Sequence, residues 1–409
     1  MLSFVKNIRV NKVLHLQDFD INLGDQPKHL LITGTNGSGK TQLLIAIVEH
    51  LQLICSDTSF SFQDIDKNIE NLDQCVKQAS TEHEKASWEN ALESTQKKRQ
   101  QLFGKVQLTF SDIVSQIKAF NEGEFVVAFY KTFRDPKFVE VRSIEKPNLS
   151  PSRNVQESKV DQFLKFLADN KVQAALARNE GKKQEADAIN SWFDSFRDVL
   201  RNIFCDPALE LDFDYKDYSF RIESLGKSFK FTELSAGYAA SLDIVADLIL
   251  KMQTPGSLTG AYNKSGIVVI DEPETHLHLS LQRQIMPILT RLFPNVQFIV
   301  ATHSPFILSS LSNAVAFDLE QREVLEELTE YSYGALAEGY FGVVSESGIL
   351  LERLERLEQL ATKEGINDSE ARELNALVAD FDAISEAAAP AVKGRFLELK
   401  RKVLNRGML

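Results

Sequence analysis

Cysteine is scarce: Cys55, Cys75 and Cys205 are the whole complement of 409 residues. Three thiols far apart exclude a disulfide framework and any CxxC metal or redox site, and they fit a reducing compartment. Long apolar runs are missing too. The longest, such as GIVVI at 266–270, fall far short of a bilayer span, and the opening MLSFVKNIRVNKV holds no stretch of secretory length. Positive charge is in deficit, with 46 Lys and Arg against 58 Asp and Glu, a net charge of −12. This excludes a global positive field that would draw in nucleic acid, although not a local basic groove. What remains, 43% hydrophobic and 25% charged residues, is ordinary globular composition. The expectation is a soluble, cytoplasmic protein with no membrane partner, built as two to three domains or one large α/β domain with insertions.

Along the chain, the residues to about Asp25 alternate as short strands. The apolar run His29–Thr33 then enters a glycine-rich turn. Leu44, Ile47, Val48 and Leu51 follow at i, i+3, i+4, i+7, so 29–53 reads strand, loop, helix. Between 60 and 105, Ile65, Ile69, Leu72, Val76 and Ala79 form a heptad-like seam, with Trp88 and Leu92 on the returning arm of a helical hairpin. KVQLTF (105–110) and EFVVAFY (124–130) read as strands, and a proline-bearing loop at 143–158 marks an internal boundary. Residues 159–204 read as helices and 208–231 as strands. From 232 to 320 the order helix, strand, helix, strand, helix predicts a parallel sheet. The stretch from 345 reads as helical, with Leu350, Leu354, Leu357 and Ala361 on one stripe and Asn367 with Glu370 as a capping pair.

Residues 34–41, GTNGSGKT, match G-x-x-x-x-G-K-[ST] in full. A phosphate chain needs converging backbone N–H groups, hence glycine at Gly34, Gly37 and Gly39 with Asn36 and Ser38 between them. Lys40 adds a point charge at the β/γ-phosphates, and the Thr41 hydroxyl a ligand for Mg²⁺. SGIVVIDEPE (265–274) is a buried strand delivering Asp271 to a magnesium shell and Glu272 to an attacking water. A further strand, 296–302, ends at His303, where a ring nitrogen could meet the γ-phosphate or that water. FTELSAGY (231–238) opens a helix whose N-terminus could bind an anion or could simply be a capped helix start.

In this order, GTNGSGKT, LSAGY, VVIDEPE and ATHSP resemble an ABC-type ATPase head, the family of transporter, chromosome-maintenance and recombination-repair ATPases. The resemblance implies an α/β fold with a mixed or parallel sheet, here with an inserted helical hairpin and a helical C-terminal tail. It implies ATP and Mg²⁺ sandwiched between two heads, with Glu272 as general base. Ser235 and Gly237 would then contact the γ-phosphate bound on the other subunit. LSAGY departs from the common LSGGQ, and no glutamine between Lys40 and Leu102 ends an evident strand. The 195 residues from Lys40 to Ser235 are too many for a transporter head. DEPETHLH followed by ATHSPF is closer to the ATPase of overcoming-lysogenization-defect nucleases and to the anti-phage ATPases of Septu, certain retrons and PARIS. On that basis the segments are 1–55, with the phosphate loop; 56–105, the hairpin; 106–158, the remaining N-terminal strands; 159–230, helices and strands; 231–335, the C-terminal lobe; and 336–409, the tail.

Those nucleases carry a toprim domain after the head, whereas only 106 residues follow His303 here. Asp380 and Asp382 form a DxD, but on an amphipathic helix that suits a surface better than two metals. His276 and His278 lack a third zinc ligand, and Cys75 lacks the partner a zinc hook needs. The basic run Lys393–Arg406 could dock an acidic partner or be a solvated helix face. The expectation is an ATPase that forms a homodimer or higher homo-oligomer and controls a separate nuclease, with DNA or a phage product as trigger. The rivals are a repair ATPase acting directly on DNA and a non-catalytic, ATP-bound scaffold.

Overall fold

The structure, a computed structural model, describes residues 3–60, 62–149, 154–253, 263–325, 328, 333–336, 348–363, 365–384 and 390–405. Residues 150–153 of the proline-bearing loop and Arg406 of the basic run lie outside them. The chain divides into two units, Met1–Tyr331 and Ser332–Leu409.

In the first unit, alternation at the N-terminus produces β1 (Val5–Val13) and β2 (Leu16–Asn22). With β4 (Val106–Phe110) they form a three-stranded antiparallel sheet in the order β2-β1-β4. The run at 29–33 is β3 (His29–Thr33), buried at every position, and α1 (Lys40–Ser56) follows with Leu43, Leu44, Ile47, Val48 and Leu51 on its buried face. Each such side chain contributes about 1.5–3 kcal/mol by leaving water. The hairpin is α2 (Ile65–Gln78) against α3 (Glu82–Phe103). Ile65 and Leu102 are its only fully buried residues among those described, so it stands out from the core.

The main sheet has six strands in the order β12-β11-β3-β10-β9-β5. The helix α4 (Ile113–Asn121) leads into β5 (Phe125–Tyr130), and between β5 and β9 (Ser265–Asp271) lie α5 (Phe163–Asn179) and α6 (Lys183–Phe204). The antiparallel sheet β6 (Glu210–Asp214), β7 (Ser219–Ser224) and β8 (Lys227–Lys230) comes next, then α7 (Ala236–Met252). After β9 come α8 (Leu279–Gln282), α9 (Ile285–Leu292), β10 (Val296–Ala301) and α10 (Pro305–Leu308). β5, β9 and β10 are buried on both faces, as their unbroken apolar runs require of parallel strands. The last helix expected by 320 is one turn only, α10. The chain instead adds β11 (Ala314–Asp318), parallel to β3, and antiparallel β12 (Glu323–Leu325) at the edge.

Registers align the strand ends. Tyr130 lies beside Ile270, Asp271 beside Ala301, Ala301 beside Ile32, and Asp318 beside Thr33. One carboxyl edge therefore collects the residues that follow β5, β9, β10, β3 and β11. Buried Gln297 joins the two sheets, since its Oε1 accepts from Val5 N at 2.8 Å and its Nε2 donates to Val5 O at 3.0 Å.

In the second unit, helices Gly348–Thr362, Asp368–Ala383 and Pro390–Asn405 pack Leu354, Leu357, Leu374, Val378, Phe381, Phe396 and Val403 into their own core. Asn367 and Glu370 cap each other reciprocally at the start of the second helix.

Candidate functional site

The loop between β3 and α1 places Gly34, Gly37 and Gly39 at φ 140°, 85° and 96°. At Gly39 a side chain would be strained by that φ, and its Cβ would also sit 3.1 Å from Leu16 Cδ1. No side chain caps α1 and no acid occupies its first turn, so its leading N–H groups lack a side-chain acceptor, the arrangement in which a helix start can take an anion. Lys40, 5% exposed, donates to Gly34 O at 2.9 Å and Thr35 O at 3.0 Å. Burial lowers its pKa, while the charges of Glu272 and Asp271 hold it up. Asn36 and Gly37 are exposed at the rim, whereas Ser38 is buried and its carbonyl contacts His15 Nε2 at 3.1 Å, from the β1–β2 turn.

Two hydroxyls converge on Asp271. Thr41 Oγ1 donates to its Oδ2 at 2.9 Å and Thr132 Oγ1 to the same oxygen at 2.7 Å. Asp271 Oδ1 is buried without a hydrogen-bond partner, as are Thr33 Oγ1, Arg134 Nε and Glu274 Oε2. Buried polar atoms are almost always partnered, so four orphans in residues of one edge mark a place for a polar ligand, ion or water. A hard cation taking the Thr41 hydroxyl and the Asp271 carboxylate as oxygen ligands, with a phosphate chain at the α1 N-terminus, fits the donors gathered around Asp271.

Glu272 leaves β9 in a left-handed conformation, φ 47°, held by its N–H donating to Ala301 O at 2.9 Å. A non-glycine residue there stores strain of about 1–3 kcal/mol, a cost that persists where function needs the geometry. His303 Nε2 lies 3.6 Å from Glu272 Oε1, too long for a hydrogen bond but close enough for the two to share one reacting group. Burial and the nearby Lys40 ammonium lower the His303 pKa, favouring the neutral ring. Glu274 Oε1 accepts from Thr302 Oγ1 at 2.7 Å, His303 N at 2.7 Å and Ser304 N at 3.1 Å. Its pKa is raised, mainly by burial.

The structure thus brings Lys40, Thr41, Asp271, Glu272 and His303 to one edge. Ser235 and Gly237 stand apart: no hydrogen bond or ion pair among the described residues joins them to 34–41. Ser235 starts α7 and lines a separate pocket of about 300 Å³ with Phe204, Leu225, Phe229 and Tyr238. At Gly237 a Cβ would lie 2.5 Å from His276 O, so glycine lets α7 close onto the acidic loop. Among the described residues no group of three or more His, Cys, Asp and Glu side chains is gathered in the way a metal ion would need. In the tail, Asp380 pairs with Arg353 and Asp382 with Lys400. Lys393 donates to Phe381 O and Asp382 O, and Arg395 pairs with Glu358.

Sequence reading missed Thr132, Arg134, Glu274 and His15. Thr132 and Arg134 follow β5, and only the β5–β9 pairing carries them to Asp271 and to Pro273 O, which Arg134 Nη2 reaches at 3.3 Å. The apolar run EFVVAFY ending in polar KTFR was the available signal.

Among described residues, no helix is long and apolar enough to cross a membrane. Over 113 residues the chain is 34% identical to the Retron Vc95 probable ATPase of Vibrio cholerae serotype O1 biovar El Tor, covering 27% of this chain and 21% of that protein. Over 199 residues it is 27% identical to the Septu protein PtuA of Bacillus mycoides strain KBAB4, covering 46% and 27%. The alignments thus span about a fifth to a quarter of these relatives. The crystal structure of an SmcHead bound to the C-winged helix domain of ScpA aligns with 76% of this chain and 94% of its own, at 11% identity and TM-score 0.35. One family profile matches residues 101–309, half of the chain, taking in LSAGY, the acidic pair and His303. The chain belongs to that family, described as "AAA domain, putative AbiEii toxin, Type IV TA system".

Proposed function

We propose that this chain binds ATP with magnesium at the β3–β9–β10 edge, hydrolyses it, and uses the cycle to control a separate nuclease effector in anti-phage defence. The observation that carries the reading is the pair of threonine hydroxyls on Asp271 Oδ2, with Oδ1 buried and unpartnered beside the uncapped start of α1. The α1 N–H groups and Lys40 would hold the phosphates. Magnesium, held by Thr41 and Asp271, would neutralise phosphate charge. Glu272 would take the proton of the attacking water on its carboxylate, and the neutral His303 ring would orient that water or the γ-phosphate.

Because Ser235 and Gly237 have no bond to their own phosphate loop, the reading places them against ATP bound on a second copy, in a head-to-head dimer. The likeness to a retron probable ATPase and to a Septu protein supports the defence setting. The net charge of −12 weighs against direct action on DNA, and in the tail Lys393, Arg395 and Lys400 have partners within their own bundle while Arg401 and Lys402 are exposed.

The test combines nucleotide-binding calorimetry, ATP turnover and native mass with and without ATP. Lys40→Ala should abolish binding. Glu272→Gln should bind ATP, lose turnover by about 100-fold or more, and trap a dimer. Normal binding by the Lys40 variant would sink the site assignment. A wild-type chain that binds ATP but turns over no faster than Glu272→Gln would leave the scaffold reading. Co-purification with a stoichiometric nuclease supports the effector, whereas turnover raised by DNA alone moves the assignment to repair.

A further inference from the structure

We infer that Glu274 is the positioning residue of the site, tying the loop that carries Glu272 to the loop that carries His303; this rests on the ATPase reading above. One carboxylate oxygen, Glu274 Oε1, receives three donors from the β10 exit: the Thr302 hydroxyl and the backbone N–H groups of His303 and Ser304. Ser304 N also lies 2.9 Å from Thr302 Oγ1, so 302–304 form one tight turn around that oxygen. Glu274 itself is two residues beyond Glu272, and the loop between them is fixed at Pro273, whose carbonyl accepts from Arg134.

The acidic loop and the His303 turn leave adjacent parallel strands, and no backbone hydrogen bond of the ladder extends past Glu272 N to Ala301 O. Beyond that bond, Glu274 sets the His303 main chain relative to Glu272. The strained Glu272 backbone makes the clamp necessary, because a left-handed residue relaxes unless its surroundings over-determine it. A neutral amide at 274 would still fill the space, but it accepts more weakly than a carboxylate from three donors. Glu274 touches neither reacting group in this arrangement; it acts through His303.

The test measures ATP turnover, nucleotide affinity and melting for wild type, Glu274→Gln, His303→Ala and the double variant. Glu274→Gln is expected to lower kcat roughly 10- to 100-fold, the scale of an ångström-sized misplacement. Affinity and melting should stay near wild type. The double variant should be no slower than His303→Ala alone, because residues acting as one unit are not additive. Multiplied losses, an unchanged kcat, or affinity and kcat falling together would overturn the inference. If Glu274→Gln fails to fold, Thr302→Val removes one donor and leaves the carboxylate, and should show the same non-additivity to a smaller degree. The His303 imidazole resonances of nucleotide-free protein decide the matter without turnover. They should shift in Glu274→Gln, and unshifted resonances overturn the inference even if the wild type proves to hydrolyse no ATP.

Discussion

The carboxyl edge of the six-stranded sheet and the C-terminal bundle each carry a short acidic motif, Asp271-Glu272 in one and Asp380-x-Asp382 in the other. Their environments are opposite. Asp271 is 1% exposed, takes two hydroxyl donors on one oxygen and has none on the other. Asp380 and Asp382 lie on a helix surface, each with a cation from a neighbouring helix. An acid buried with an unsatisfied oxygen costs stability and is kept for what it binds. An acid in an exposed ion pair costs little and contributes little. Side-chain type alone does not separate the two cases; the strand end does.

The largest expected effect breaks this contrast at its functional pole. On the proposed reading, Asp271→Asn should lose ATP turnover by about 100-fold or more, because that carboxylate would hold the magnesium that supplies several kcal/mol of charge stabilisation. Melting should hold or rise, since an amide can satisfy neighbours that a buried anion leaves unsatisfied. Turnover near wild type would place Asp271 with the tail acids as a structural group.

An intermediate case sharpens the contrast. Asp243 on α7 is buried without belonging to the edge, facing Ser158, Asp247, Arg134 and Lys251. Burial first, then the charge of Asp247, pushes its pKa up to about 6. A folded-state pKa above the unfolded value means tighter proton binding in the folded chain. The carboxylate therefore destabilises the fold in full above about pH 6; the penalty fades as pH falls from about 6 to about 4 and is gone below that. Asp243→Asn should raise unfolding free energy at pH 7.5 by about 2–3 kcal/mol and change nothing near pH 4. A gain at pH 4 equal to that at pH 7.5 would show that charge burial is not its cause.

Much of the edge was legible because its chemistry is contiguous. GTNGSGKT, DEPE and the His303 turn each sit where a buried run stops, and a run of five to seven apolar residues announces a parallel strand. Thr132 was not legible, because its place depends on β5 pairing with β9 across 139 residues. Nor was β11, whose five residues AVAFD lack both length and alternation and were absorbed into an expected helix. Gly237 was expected at a second subunit's phosphate, yet within its own chain its missing Cβ already has a use against His276 O, which no spacing could have indicated. The basic stripe of the last helix looked open to a partner because its acids, Glu358 and Asp382, belong to other helices.

The smallest effect tests the other pole. Asp382 is 43% exposed and Lys400 29%, so solvent screens their attraction while both side chains lose rotamer freedom. Asp382→Asn should therefore change unfolding free energy by no more than about 1 kcal/mol, and the difference should shrink in about 1 M salt, where the Debye length is near 3 Å. ATP turnover should not change, because this acid has a cation for a partner and nothing left to bind. The measurement is denaturant unfolding of the full chain at low and high salt, followed by the tail's far-ultraviolet signal, alongside a turnover assay. A salt-independent loss of several kcal/mol would make the pair a buried one, and a loss of turnover would give the tail acid a role at the site. Either result removes the distinction between an acid that ends a buried strand and one that decorates a helix.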